Sequence, residues 1–390
     1  MDFRFTPEQE RFRQEVRDFL DNELTPEFLD SRSEVAGIGV SREFSRMLGR
    51  KGWIGLAWPR EYGGQGLGHV EYVIYREEMI MHGAPVGYHL TGENQMAPSI
   101  MMYGTDEQKQ WFIPRIASGD LSICIGYSEP DSGSDLAALQ TRAVADGDDY
   151  VINGSKTWNS GAAFSQWVWL AARTNTEVPK HKGITIFLVD MDTPGISVQP
   201  ITNMGGVDGF NLLTFDNVRV SKRAIVGEAD QGWYVAASNL DFERSGIERV
   251  AVNCSLMNDF VEFIKEAKTN GQIIGARPEV RHRVADMFIE VEVGKLLAYK
   301  IAWMQSQGLV PNKEAAISKL FGTETTQRNA RGMLEILGLY GQLAEGSPYA
   351  PLQGRILRAW YNAVSATIAA GTSEIQRNVI ATRGLGLPRG

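Results

Sequence analysis

The stretch DYVINGSKTW, Asp149 to Trp158, decides the fold. Two β-prone runs flank Asn153-Gly154, a pair that tolerates positive φ, so the spacing predicts a hairpin turning there. WVWLAAR (167–173), GITIFLVDM (183–191), ISVQPI (196–201) and LLTFDNVRV (212–220) follow. Each is short, rich in β-branched or aromatic residues and bounded by Gly, Pro or Asp, as strands are. Residues 121–228 therefore read as a small antiparallel, barrel-like β domain. The flanks change period. Thr6-Pro7-Glu8-Gln9 is a helix start, with Thr as N-cap, Pro first and Gln three residues on. Phe12, Val16, Phe19 and Leu20 then recur at helical spacing. Ser41 opens a second helix that stops before Gly52, a third spans Glu71 to Met81, and Thr105-Asp106-Glu107-Gln108 caps a fourth. Beyond Gln231 helical patterns cover 232–268, 279–307, 312–338 and 353–369, the signature of an up-down bundle. The fold class is α+β, mainly α: an N-terminal helical domain (1–120), the β domain (121–228) and a C-terminal four-helix bundle (229–390).

The 390 residues suffice for two or three domains. A net charge of −8 argues against nucleic acid, whose phosphates call for an excess of Lys and Arg. The two cysteines, Cys124 and Cys254, form no C-x-x-C pair and read as small buried residues, which favours a reducing cytosol. The five histidines lack ligand spacing, so no metal is expected. MDFRFTPEQE has neither the basic nor the apolar region of a signal peptide, and no apolar run approaches the roughly 18 residues of a membrane span. The expected location is cytoplasmic. Gly63-Gly64-Gln65-Gly66-Leu67-Gly68 misses G-x-G-x-x-G, because His69 holds the last position, and reads as a turn.

GYSEPDSGSD (126–135) and INGSKTWNSG (152–161) resemble the acyl-CoA dehydrogenase family of flavoproteins. LLTFDNVRV, followed by Gln231-Gly232, is similar to that family's strand-to-helix junction, and GTSEIQR (371–377) to its last helix start. The helical, β, helical order agrees over essentially the whole chain. The resemblance implies FAD as cofactor and an acyl-CoA substrate. A flat ring with polar edges needs an aromatic face and a few hydroxyl or backbone donors. Carried over by position, Ile125, Tyr127 and Ser128 would line the flavin, Trp158 would pack on it with Asn159 beside it, and Ser160 would lie near N5. Gly133 would admit close backbone approach and Ser134 would meet the CoA portion. Thr372, Ser373 and Glu374 would form the cofactor-contacting helix start, where free backbone donors favour a polar or anionic group. Taken alone, each Ser and Thr here is a turn or cap residue.

The family removes an α proton from the thioester with a Glu while a β hydride passes to flavin N5. In most members that Glu directly precedes the Gly-Thr, where this chain has Ala370. Other members place it on the first bundle helix, in a run resembling Leu240-Asp241-Phe242-Glu243-Arg244. Glu243 is the implied base, with Asp241 and Arg244 beside it and Arg244 orienting loop 370–372. Read without the family, Glu243 is an ordinary surface Glu paired one turn away. Desolvation by an acyl chain would raise its pKa. The backbone N–H at Ala370, next to Gly371, is implied as donor to the thioester oxygen. Ala369-Ala370 replaces two larger side chains, which suggests room for a branched or ring-bearing acyl group such as a steroid side-chain CoA ester.

In the family's homotetramers an Arg-x-x-Phe-Gly run and a Gln-x-x-Gly-Gly run hold the neighbour's adenine half. Here KTNGQIIGARPEV lacks the Arg and Phe, and Glu335-Ile336-Leu337-Gly338-Leu339 sets an anion where a diphosphate would lie, which should repel it. The chain thus resembles most the actinobacterial-type heteromeric subunits that act on steroid side chains. An α2β2 assembly with a related subunit is expected, against a homo-oligomer, with an electron-transfer flavoprotein as acceptor. A partner subunit that only completes another chain's flavin site, and a flavin monooxygenase or oxidase on the same fold, stay open beside the dehydrogenase.

Overall fold

The computed structural model describes residues 4–30, 33–35, 38–242 and 246–388. Its first helices are α1 Pro7–Glu23, α2 Pro26–Asp30, α3 Arg42–Arg50, α4 His69–Met81, α5 Ala97–Tyr103 and α6 Asp106–Ala117. After the sheet come α7 Gly232–Phe242, α8 Ile247–Glu266, α9 Pro278–Ser306, α10 Asn312–Leu337, α11 Arg355–Ala366 and α12 Ser373–Val379. The starts at Thr6 and Thr105 are capping boxes: each Thr side chain accepts the N–H three residues on, and Gln9 or Gln108 returns a bond to the cap. Such caps are worth about 1 kcal/mol each and depend only on neighbours in sequence. The pattern over 232–268 is not one helix. Gly246, directly before Ile247, takes the left-handed region at φ 66° and is not helical. The glycine-rich 63–68 is a turn, as read, with Gly63 and Gly66 at positive φ.

A small ladder joins β1 Ser33–Val35 to β2 Ile38–Val40. The main sheet holds β3 Ile123–Gly126, β4 Arg142–Asp146, β5 Asp149–Lys156, β6 Trp167–Arg173, β7 Ile184–Asp190, β8 Ile196–Ile201, β9 Phe210–Ser221 and β10 Ile225–Val226. A last ladder pairs β11 Lys268–Thr269 with β12 Gln272–Ile273. The order in the main sheet is β10-β7-β6-β4-β5-β9-β8, with β3 beside β6. It is mixed rather than antiparallel, because β3 runs parallel to β6 from Ile123–Trp167 to Gly126–Leu170. The β4–β5 hairpin intervenes and returns the chain in its original direction, which no local pattern announces.

The hairpin expected at Asn153-Gly154 is also corrected. The turn is Gly147-Asp148, closing Asp146 on Asp149, and β5 runs straight through Asn153. Asn153-Gly154 is instead a bulge where the register with β9 shifts. Asn217, itself at φ 51°, donates its N–H to Asn153 Oδ1 (2.8 Å). A Cβ on Gly154 would lie 2.7 Å from Thr141 Cα, so the position admits only glycine.

Packing divides the chain into two compact units that cut across the three segments. One contains Met1–Phe28, Gly68–Ala84 and Arg244–Gly390; the other contains Leu29–Leu67 and Pro85–Glu243. The second is centred on Ile152, Val168, Leu170, Phe187 and Leu213 of the sheet. Within the first, Met257, Phe260, Met287 and Met333 form a bundle core, while Val73, Ile74, Ile247 and Ala298 pack α4 into the same unit.

That unit also buries a charge cluster. Arg13 Nη1 binds Glu77 (2.9 Å) and Glu78 (2.6 Å), Lys295 Nζ binds Glu77 (2.7 Å), and the Tyr299 hydroxyl donates to Glu77. Burial alone would raise the Glu77 pKa, but Lys295, Tyr299 and Arg13 outweigh it and hold it below 4.5. The folded pKa is depressed, so this stability is present above pH 4.5 and lost as pH falls through the folded value. Glu77→Gln is expected to cost about 3 kcal/mol at pH 7, leaving Arg13 and Lys295 short of an anion. Its thermal midpoint should also fall less steeply than wild type between pH 5 and pH 3. Parallel curves would show that Glu77 is not the titrating group.

Candidate active site

The two blocks GYSEPDSGSD and INGSKTWNSG lie side by side in the sheet unit. Three rungs lace them. Asn159 Nδ2 donates to Ile125 O (2.5 Å), Lys156 Nζ to Tyr127 O (3.1 Å) and the Thr157 N–H to Ser128 O (2.9 Å). The Tyr127 and Ser128 N–H groups meet no acceptor among the described residues. Lys156, fully buried, also binds Glu129 Oε1 (2.7 Å), while Glu129 accepts the Gln140 (2.6 Å) and Thr141 (2.8 Å) N–H groups. Burial pulls the Lys156 pKa down to about 8 against the opposing field of Glu129. Burial disfavours the Glu129 anion too, but Lys156 and the backbone donors more than offset it and lower its pKa.

Trp158 stands at φ 63° with 59% of its surface exposed, an uncommon state for a bulky residue. Holding it there costs about 1–3 kcal/mol. Asn159 and Asn211 supply the restraint: the Asn159 N–H donates to Asn211 O (3.0 Å), and Asn211 Nδ2 donates to Asn159 O (2.9 Å). Asn159 is itself buried, so it fixes Trp158 and Ser160 rather than presenting a polar head. Tyr127 is buried as well, its hydroxyl accepting from Trp169 Nε1 (2.9 Å). Ser128 is half-buried and Ser160 and Ser134 are exposed. A Cβ on Gly133 would meet nothing within 4 Å, and Gly133 is not at positive φ, so neither packing nor conformation demands glycine.

In the helical unit, Ala370 is exposed at φ 52° and Gly371 follows at φ 84°. The Ala370 N–H has no acceptor among the described residues. Thr372 caps α12, accepting from the Ile375 N–H (3.2 Å), and Ser373 is buried with no partner for Oγ among the described residues. Glu374 is exposed, and a bond to its own backbone N–H, with help from Thr372, lowers its pKa. The seven-residue α12 thus already carries an anion at its start. The loop borders a depression of about 450 Å³ lined by Gln327, Arg328, Thr372, Ser373 and Glu374 among others. Glu243 and Arg244 lie outside the described residues; Asp241 is in the last turn of α7, and its side chain lies outside them too.

Ser45 Oγ sits 2.8 Å from His89 Nδ1, and Glu93 Oε2 3.8 Å from His89 Nε2. All three are at most 1% exposed, so no substrate reaches this Ser-His-Glu set. Burial pushes the Cys124 thiol up to about 12 and Cys254 up to about 11, far from thiolate character.

Family models for the acyl-CoA dehydrogenase N-terminal, middle and C-terminal domains match residues 6–120, 124–218 and 230–385. Acyl-CoA dehydrogenase FadE26 of Mycobacterium tuberculosis is 40% identical over 397 residues, covering 99% of this chain and 98% of that protein. This chain belongs to the acyl-CoA dehydrogenase family. Among solved structures, the Tcur3481-Tcur3483 steroid ACAD aligns with TM-score 0.91 at 37% identity. The ChsE4-ChsE5 complex from Mycobacterium tuberculosis aligns with TM-score 0.90 at 38% identity, and both alignments cover 100% of each chain.

Acyl-CoA dehydrogenases are FAD-dependent oxidoreductases, and the residues present fit that cofactor. Two N–H groups without acceptors among the described residues, an exposed aromatic face held at positive φ and a glycine required by no protein contact are compatible with a ligand cradle. The dehydrogenase's second motif region needs correction. Thr269, Arg277, Arg283, Glu335 and Leu339 do meet, around a depression of about 490 Å³. Glu335 is not a bare anion there: Arg283 and Arg331 both donate to it and lower its pKa. The arginines are committed to Glu335, so charge repulsion is not what the surface presents. Sequence reasoning missed Glu129 and Lys156, although both lie inside the quoted blocks. A buried Lys is rare, and its partner stands 27 residues away.

Proposed function

We propose that this chain is the catalytic subunit of an FAD-dependent acyl-CoA dehydrogenase that forms an α,β double bond in a branched or bulky acyl-CoA thioester, such as a steroid side-chain CoA ester. The observation that carries the reading is Ala370. An exposed alanine in the left-handed region, with an unclaimed N–H, presents a backbone donor with no side-chain acid beside it. That N–H donates to the thioester oxygen and stabilises the developing enolate. Glu243 takes the α proton, and Arg244 orients loop 370–372. FAD, when bound, supplies the acceptor for the β hydrogen and its electron pair. The Tyr127 and Ser128 N–H groups and the Ser128 hydroxyl hold its polar edge, Trp158 offers an aromatic face, Ile125 and Ser160 flank it, and Thr372 and Ser373 contribute hydroxyls. Ser134 meets the CoA portion. Methyl groups at Ala369 and Ala370 leave volume for a bulky acyl group. Two structural neighbours, the Tcur3481-Tcur3483 steroid ACAD and the ChsE4-ChsE5 complex, support the substrate class and a heteromeric assembly. The Arg283–Glu335 pair supports the latter by withholding Arg283 from a diphosphate. An electron-transfer flavoprotein is the acceptor in this reading.

Anaerobic titration of the co-purified heteromer, with flavin absorbance as readout, tests it. A 2-methyl-branched ester is expected to bleach the flavin about 10–100-fold faster than linear octanoyl-CoA. Faster bleaching by the linear ester removes the bulky-substrate reading, and no bleaching by any ester removes the dehydrogenation.

A further inference from the structure

Lys319 of α10 is 6% exposed, yet among the described residues its ammonium has no carboxylate partner. Its one hydrogen bond among the described residues goes to Ala366 O (3.1 Å), the last residue of α11. Helix C-termini leave carbonyls without donors and carry partial negative charge, so a cation is well placed there. Two turns along α10, Gln327 Nε2 donates to Ala363 O (3.1 Å) and Thr367 Oγ1 (3.0 Å). From the far side, Arg377 of α12 binds Glu324 (2.7 Å). Loop 367–372, which includes Ala370, is thus pinned to α10 before and after. Burial, with Arg249 of α8 nearby, lowers the Lys319 pKa to about 8 against Glu324 and Glu374, so the ammonium stays charged at neutral pH.

A buried charge with a single carbonyl partner is a poor stability device, since desolvation outweighs one such bond. We infer that Lys319 is a positioning residue for the acyl thioester, its ammonium fixing the end of α11 so that the Ala370 N–H is held at one angle. The inference rests on the reading that this N–H meets the thioester oxygen.

The test uses the flavin-loaded protein with its partner, comparing wild type, Lys319→Met and Lys319→Arg. Lys319→Met is expected to keep or raise the thermal midpoint, because an uncompensated buried charge is gone. Amide hydrogen exchange over 368–372, measured without substrate, should quicken about tenfold as the loop loosens. The rate of flavin bleaching by acyl-CoA should fall about 100-fold from misplacement, with resting flavin absorbance unchanged. Lys319→Arg, which keeps the cation, should recover part of both. Unchanged exchange in Lys319→Met overturns the tether. Quicker exchange with undiminished bleaching overturns the positioning role. Loss of thermal midpoint and flavin together, with normal bleaching per flavin, makes Lys319 merely structural and also overturns it. Should wild type not bleach with any ester, the functional reading fails, while hydrogen exchange still judges the tether.

Discussion

Glu243→Gln is expected to lower turnover by about 10⁴-fold while leaving acyl-CoA binding nearly intact. The amide keeps the size and hydrogen-bonding reach of the carboxylate but cannot accept the α proton. Anaerobic mixing should therefore perturb the flavin spectrum, as binding does, without bleaching it. Wild type in D₂O should exchange the α hydrogen of a saturated acyl-CoA, and the variant should not. The size of the effect follows from the alanine at 370: where the family resemblance puts the base of most members, this chain has a methyl group that cannot substitute. Bleaching by Glu243→Gln at the wild-type rate would place the base elsewhere.

The features legible in the sequence are those whose cause is local. Thr6 and Thr105 cap helices because a side-chain oxygen three residues ahead of an N–H makes the bond wherever the helix goes. Strands β6 to β9 announced themselves by β-branched and aromatic runs, whereas β3, β4 and β10 did not. Asn153-Gly154 failed as a turn because the same pair serves a bulge, and the choice was made by Asn217 and Thr141 across the sheet. The parallel placement of β3 beside β6 is likewise decided by a distant partner. Trp158, Gly133 and Ala370 were legible as candidates from motif position alone, and the structure leaves all three exposed. The buried charges that hold them were not legible. Lys319 reaches a carbonyl 47 residues on, and Lys156 a carboxylate 27 residues back.

Breaking the Glu129–Lys156 pair should have the second-largest effect, and its pH dependence identifies the cause. Glu129→Gln leaves a fully buried ammonium without its anion, a loss of about 3–5 kcal/mol at neutral pH that urea unfolding would register. It also loosens the loop whose Tyr127 and Ser128 N–H groups lack acceptors among the described residues, so flavin should be lost on gel filtration. Lys156→Met in addition removes the stranded charge. The double variant should recover about 2 kcal/mol relative to the sum of the singles. With Glu129 gone, the Lys156 pKa falls below its present value of about 8. A base with a depressed folded pKa holds fewer protons when folded than when unfolded, so stability rises with pH through that window. The penalty of Glu129→Gln relative to wild type should therefore shrink as pH rises from 6 to 8 and then level off. A penalty that is flat across this range would mean that Glu129 acts only through the Gln140 and Thr141 N–H groups, since those bonds do not titrate with Lys156.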